Sequence, residues 1–378
     1  MVGEGMGNRA TDPKTDAAWR KSDLREGYTT SACAVAAATA ATRALLTGEM
    51  LDAVTVDLPG EKGVTFQLER CEAAGEGITC GVIKDAGDDP DVTDGVEVQA
   101  TVAWAAEPGI ALKGGDGVGR VTKPGLPVPV GEAAINPVPR RMITAAVADE
   151  AGDALDGRGL VVTIRVPGGE EIAQQTMNPR LGIVSGISIL GTSGIVRPFS
   201  TSAYRASIYI ELKMARHNGV GHAVLTTGKR SEAYAAERYP GLPGYAFVQV
   251  GDHIDYGLKQ VRRLGFERVT VSSMIGKLSK LAQGRMQTHV GQGEVDFDFL
   301  AEVAAGLGAD DELCARVRAA NTAHHVQVMC LQAGLAGLEE RLAALAAGAA
   351  SAFIGGAAEV EVLLWHIKGD LLAVGQAS

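Results

Sequence analysis

Apolar and polar residues alternate in short runs through the first half of the chain and recur at helical spacing through the second. Alternating runs at residues 54–58, 64–68, 78–83, 96–104 and 161–166, separated by Gly, Pro and Asp clusters, predict strands. Residues 29–47 predict a helix: Thr30 or Ser31 can cap it, alanines fill it and Gly48 ends it. Beyond residue 200 the order becomes helix 201–218, strand 222–225, helix 231–238, strand 245–250, helix 254–264 and strand 268–271. Strands joined through helices imply crossovers and a parallel sheet. The expected fold class is α/β in two domains, an N-terminal α+β domain (residues 23–198) and a C-terminal Rossmann-like α/β domain with a mostly parallel sheet (199–378). A loose tail, 1–22, precedes them.

In such sheets ligands bind beyond the carboxyl ends of the strands. Those ends are Thr226-Thr227-Gly228, Gly251-Asp252-His253 and the run from Ser272 through Ser273, Gly276 and Lys277. A turn at Gly228 followed by Asp252 after the next strand suits a nucleoside, with the carboxylate accepting from ribose hydroxyls. No G-x-G-x-x-G occurs, so a standard dinucleotide pyrophosphate site is not supported. Turn glycines in a plain sheet are the alternative.

The stretch 178–200 breaks an apolar run with Gly182, Gly186, Gly191 and Gly194 and flanks it with Arg180 and Arg197. So much glycine costs backbone entropy and supplies nothing to pack, so something must approach this backbone closely. Gly191-Thr192-Ser193-Gly194 offers amides and two hydroxyls, and the simplest ligand is an anion. A glycine-kinked hairpin without ligand is the alternative. A second glycine-rich loop, 114–125, leads toward Arg140 and Arg141 and carries the same anion logic through Arg120 and Lys123. Residues 84–95 hold five aspartates, but an EF-hand needs a closing glutamate and a fixed oxygen spacing that this loop lacks.

Composition narrows the field. The 378 residues suffice for two cores, and 46% hydrophobic with 21% charged residues fits a globular protein. A net charge of -10 argues against a nucleic-acid surface. Five cysteines without CxxC or zinc-finger spacing read as reduced thiols of a cytoplasmic protein. The opening residues lack the apolar core of a secretory signal. The Ala-rich, nearly uncharged segment 342–358 reads as a packed soluble helix rather than a membrane span. No histidine pair has metal-ligand geometry, so no protein-bound metal is expected.

Several ordered motifs carry a family resemblance: Gly27-Tyr-Thr29-Thr30, the acidic run from Lys84 to Thr93, Gly117 to Leu126, Ala134-Ile-Asn136-Pro137, Asn178-Pro-Arg180, Ile187 to Gly191, and Thr227-Gly-Lys-Arg230. Together, over about residues 24–300, the chain resembles the cobalt-precorrin-5B carbon-1 methyltransferase family of anaerobic cobalamin biosynthesis. The resemblance implies S-adenosylmethionine as methyl donor and a corrinoid macrocycle as the small-molecule partner, with no nucleic acid and no membrane; a homo-oligomer is an allowed assembly. The first domain would be the corrinoid side and the second the donor side.

On that reading Thr29, Thr30, Asn136, Arg140, Asn178, Arg180, Gly191, Thr192, Ser193 and Arg197 bind the substrate, whose many carboxylates suit local arginines. Thr226, Thr227, Gly228, Asp252, Ser273, Gly276 and Lys277 bind the donor, and Asp85, Asp88 and Asp89 face its amino group or sulfonium. His289 is the acid/base candidate; a capping or surface role is its alternative. The chain departs from the family pattern at Ser31 and Ala32 after the Tyr-Thr-Thr motif. Ser273 and Met274 stand where many members carry Gly-His, so a role for that histidine does not carry over. The rival readings are a non-catalytic corrinoid carrier and a nucleotide-dependent phosphate-handling enzyme.

Overall fold

The computed structural model describes residues 24–289, 291 and 293–377. The expected tail, 1–22, lies outside them. The chain forms two compact units: one runs to Thr122 and resumes over Pro127–Ser200, the other joins Lys123–Leu126 to the residues from Thr201 onward. Both are mixed α/β, and each carries a five-stranded sheet.

The first unit is built around helix Thr30–Thr47, which is buried on nearly every side, Ala32, Ala36, Ala40 and Ala44 being wholly inaccessible. Alanine is the reason: with only a Cβ to accommodate, strands Gly77–Ile83 and Glu97–Ala105 and helix Pro137–Ala151 all pack against it. Arg43 clamps the two helices with a forked pair of bonds to Glu150, at 2.8 and 2.6 Å. The helix is capped one residue earlier than expected. The Thr29 side chain accepts from Ala32 N, because the Thr30 hydroxyl is engaged elsewhere, accepting from Leu190 N at 3.0 Å. The sheet order is Arg70–Ala74, Gly77–Ile83, Glu97–Ala105, Gly159–Arg165, Gly109–Gly114, antiparallel except for the last pair.

The two glycine-rich stretches meet each other. Gly117–Val118 pairs in parallel with Gly186–Ile187, and Arg120–Val121 pairs antiparallel with Ile183–Val184. A Cβ on Gly117 would overlap the Val166 carbonyl, and one on Gly186 would overlap the backbone of Gly117. The close approach expected at residues 178–200 is therefore made by the chain's own backbone, that of residues 114–125.

In the second unit the sheet order is Phe247–Gln249, His222–Thr226, Arg268–Met274, Glu359–Trp365, Leu371–Ala377, with all pairs parallel but the last. The chain order thus reverses between His222–Thr226 and Arg268–Met274. The alternation read from sequence stops at residue 271 and misses the two C-terminal strands. They lie about 90 residues further on, after five helices: Ile275–Ala282, Phe297–Gly306, Asp311–Arg318, Ala323–Gln332 and Leu338–Ile354. The last of these is the expected Ala-rich helix, begun four residues earlier and stopped by Gly355 in the left-handed conformation. It lies so close to Leu371–Ala377 that a Cβ on Gly375 would overlap the Ala343 backbone. No helix among the described residues is long and apolar enough to cross a membrane.

The amino ends of the same strands enclose a polar network. Buried Glu361 accepts from Thr270 Oγ1 at 3.0 Å and from Tyr239, and pairs with Arg268 at 3.0 Å. His222 Nε2 lies 2.8 Å from the same Thr270 hydroxyl. Because Thr270 donates to Glu361, the ring must donate to Thr270, which fixes the Nε2–H tautomer. Burial first and the Arg268 charge second push the His222 pKa down to about 4 from 6.5. Between those values the unfolded chain binds a proton that the folded chain refuses, so stability is complete above pH 6.5 and falls as pH drops. His222→Gln should flatten that decline, by up to about 1.4 kcal/mol per pH unit, in urea titrations run across the window.

Candidate active site

Where the strand order reverses, the carboxyl ends of His222–Thr226 and Arg268–Met274 open side by side, the place at which doubly wound sheets take ligands. Thr227 N donates to Ser272 O at 3.1 Å, and the Thr227 hydroxyl donates to Ser273 Oγ at 3.2 Å. Lys277, in the first turn of helix Ile275–Ala282, reaches back to Thr227 O at 3.2 Å and to Asp252 Oδ1 at 3.0 Å. The Thr288 hydroxyl donates to the same Oδ1 at 2.8 Å, and its amide donates to the Asp252 carbonyl. Lys280, almost fully buried, holds Thr288 O at 2.9 Å. Asp252 is thus fixed from two sides.

Burial raises the Asp252 pKa, but the bonds from Lys277 and Thr288 and the charges of Lys277 and His289 outweigh it, leaving the carboxyl below its usual value. Among the described residues both side-chain bonds fall on Oδ1, which leaves Oδ2 for another donor. Of the other residues expected here, Gly228 precedes helix Lys229–Arg238 and Gly276 faces open space. Thr226 and Ser273 are buried, and the Thr226 hydroxyl turns inward to Glu232 and Val248. They shape the crevice rather than line it.

Sequence reasoning gave no role to four side chains gathered at the neighbour of Asp252: His253, Gln287, Arg205 and Tyr204. His253 Nδ1 lies 3.0 Å from Gln287 Nε2 and 3.5 Å from Arg205, and Tyr204 packs its ring 5.6 Å away. Both neighbouring groups are donors, so Nδ1 accepts and the proton sits on Nε2. Burial, then Arg205, depress the His253 pKa and keep the ring neutral. The signal was present in Gly251-Asp252-His253, but the partners lie 48 and 34 residues away. His289 is exposed and its Nδ1 accepts from Gly291 N at 3.1 Å. With Nδ1 taken by that bond, Nε2 is the ring nitrogen left to meet a ligand.

The residues expected to bind substrate lie in the first unit. Helix Thr30–Thr47 begins against residues 188–194: Thr30 binds Ser188 O and Leu190, Ser31 donates to Gly191 O, and Thr29 N donates to Gly194 O. Asn178 donates to Gly186 O and accepts from Ser188. Asn136 precedes helix Pro137–Ala151 without a side-chain capping bond, and Arg140 lies 3.9 Å from Glu132. Ser193 closes its own turn onto Ile195, Thr192 is exposed, and Arg197 pairs with Glu26 at 3.0 Å. Arg180 is engaged by a neighbour.

The aspartates expected to face the donor also lie in this unit and are taken up locally. Asp85 forks with Arg25 at 2.5 and 2.8 Å, Asp88 accepts from Arg25 N, and Asp89 accepts from Phe199 N. Among the described residues no group of three or more His, Cys, Asp and Glu side chains could hold a metal ion.

Family models match at both ends of the chain, CbiD over residues 17–198 and the CbiD C-terminal domain over 287–376. A protein of Geobacillus kaustophilus named cobalt-precorrin-5B C(1)-methyltransferase is 52% identical over 93% of this chain and 95% of its own length. The chain belongs to the CbiD family. A like-named protein of Priestia megaterium is 47% identical over 94% and 96%, and one of Leptospira borgpetersenii 43% over 93% and 95%. A crystal structure of the cobalamin biosynthesis protein cbiD from Archaeoglobus fulgidus aligns at 29% identity and TM-score 0.39, covering 71% of this chain and 83% of that one.

Two substitutions probe this CbiD chain directly. Lys277→Met should raise the Asp252 pKa toward the ordinary carboxylate range, a shift that carbon-detected NMR titration of the carboxyl would record. Gly191→Ala should destabilise the first unit by more than about 1 kcal/mol, because its Cβ would sit 2.5 Å from Thr29 at a φ of +117°; thermal unfolding measures the loss.

Proposed function

We propose that this chain is a cytoplasmic S-adenosylmethionine-dependent methyltransferase that methylates carbon 1 of cobalt-precorrin-5B to give cobalt-precorrin-6A. The observation that carries this reading is identity of 43–52% to relatives of that name across more than nine-tenths of the chain. The second unit is then a Rossmann-like donor domain and the first unit the corrinoid side.

The donor supplies a methyl group on a positively charged sulfur. Asp252, ionised throughout the neutral range, uses its open Oδ2 to accept from ribose hydroxyls, while Lys277 and Thr288 hold its other oxygen. Thr227 and Gly276 border the crevice and leave room for the nucleoside. Methyl transfer is an in-line displacement, and orienting two bound reactants can contribute roughly 7–11 kcal/mol. The conjugated macrocycle supplies the electron pair, so no side-chain nucleophile is needed. His253, with its proton on Nε2, acts as a hydrogen-bond donor in this scheme, and His289 is the acid/base candidate. The cobalt belongs to the substrate.

Incubation with methyl-labelled S-adenosylmethionine and cobalt-precorrin-5B should add one labelled methyl to the corrinoid by mass. Asp252→Ala should weaken donor binding by roughly 10-fold or more, as expected for a lost bond to a charged group. Unchanged donor affinity by calorimetry would remove Asp252 from the site.

A further inference from the structure

Among the described residues only two non-glycines adopt positive φ, Ser185 at 62° and Phe199 at 52°. For a bulky side chain this conformation crowds Cβ against the backbone, and glycine or asparagine would adopt it at far lower cost. Phe199 recovers little by burial, since it is 59% exposed. Folding alone thus disfavours phenylalanine here twice over, through its backbone and through its ring. Strain of this kind persists where the surroundings impose it, and it concentrates at ligand sites.

The surroundings that impose it are the acidic loop. Asp89 Oδ1 accepts from Phe199 N at 3.0 Å. The loop itself is anchored through Asp88 and Asp85 to Arg25, and through Asp91 to Lys84, whose ammonium is buried. Two residues before Phe199, Arg197 is 76% exposed, and its contact with the half-exposed Glu26 is the weak kind that water and salt screen. An outward-facing aromatic ring beside an accessible guanidinium is a surface for a flat, conjugated molecule that carries carboxylates.

We propose that Phe199 is a stacking platform for the corrinoid macrocycle, held in its strained turn by Asp89, with Arg197 meeting a macrocycle carboxylate. The assignment rests on the methyltransferase reading and adds to it a positioning residue for the acceptor. It also accounts for the acidic loop, since Asp89 presents the ring and none of the loop's aspartates needs to touch the donor.

The test titrates the full chain with cobyrinic acid, a stable cobalt corrinoid with free carboxylates, following the shift of its visible absorption bands. Phe199→Gly should unfold at the same temperature as the parent or higher, because it relieves the strain. It should bind cobyrinic acid about 10-fold more weakly, the scale of a lost aromatic stack, and bind S-adenosylmethionine unchanged. Phe199→Trp should retain the corrinoid affinity. Equal corrinoid affinity in Phe199→Gly, or as large a loss in Phe199→Trp, overturns the proposal even if the parent methylates its substrate. A change in sedimentation of Phe199→Gly with corrinoid affinity intact would make the ring a contact between copies and equally overturn it. Failure of the parent to bind the corrinoid or transfer a methyl instead overturns the methyltransferase reading, and this proposal with it.

Discussion

Direct backbone-to-backbone contact, possible only at glycine, is the constraint on which the first unit depends. Gly117 sits against the Val166 backbone and Gly186 and Gly169 against that of Gly117, while Gly191 packs on the Thr29 side chain. Each contact brings the chain closer to itself than a Cβ allows. In return the start of helix Thr30–Thr47 is bonded to residues 188–194 through Thr29, Thr30 and Ser31. This stretch is a joint between distant segments, and the Thr29 amide with the hydroxyls of Thr30 and Ser31 holds the joint closed.

The second unit relies on charge placement. Its sheet carries an ionisable network at each end, and the two are resolved differently. At the amino ends Glu361 is surrounded by Thr270, Tyr239 and Arg268, and the neighbouring His222 is kept neutral, a saturated arrangement in which each donor has its acceptor. At the carboxyl ends Asp252 is held equally firmly but, among the described residues, through Oδ1. A carboxylate kept ionised by its neighbours and left with an open oxygen is suited to accepting from a ligand, whereas a saturated one serves the fold.

Much of this was legible along the chain. Periodicity located the central helix, most strands of the first sheet and the three leading strands of the second, since each is a local consequence of alternation, alanine content and a stop at glycine. It also brought Thr227, Asp252 and Lys277 into consideration, because strand ends in a parallel sheet face one way. Thr288 and Gln287 had no comparable local signal: their relation to Asp252 and His253 is made by a segment that folds back after helix Ile275–Ala282. The C-terminal strands were hidden for the same reason, being separated from their neighbour Arg268–Met274 by five helices.

The sequence by itself determined the element types, the family and the residue kinds available for chemistry, because these follow from short-range pattern and from the order of motifs along the chain. Only the tertiary structure decided which of those residues meet. It turned the glycines of 114–125 and 182–194 toward each other, assigned Asp85, Asp88 and Asp89 to Arg25 and Phe199, and gathered Asp252, Lys277 and Thr288 around one oxygen. Hydrogen bonds and ion pairs act over a few ångströms of space, whatever the distance along the chain, so their partners are fixed by packing rather than by order in the sequence.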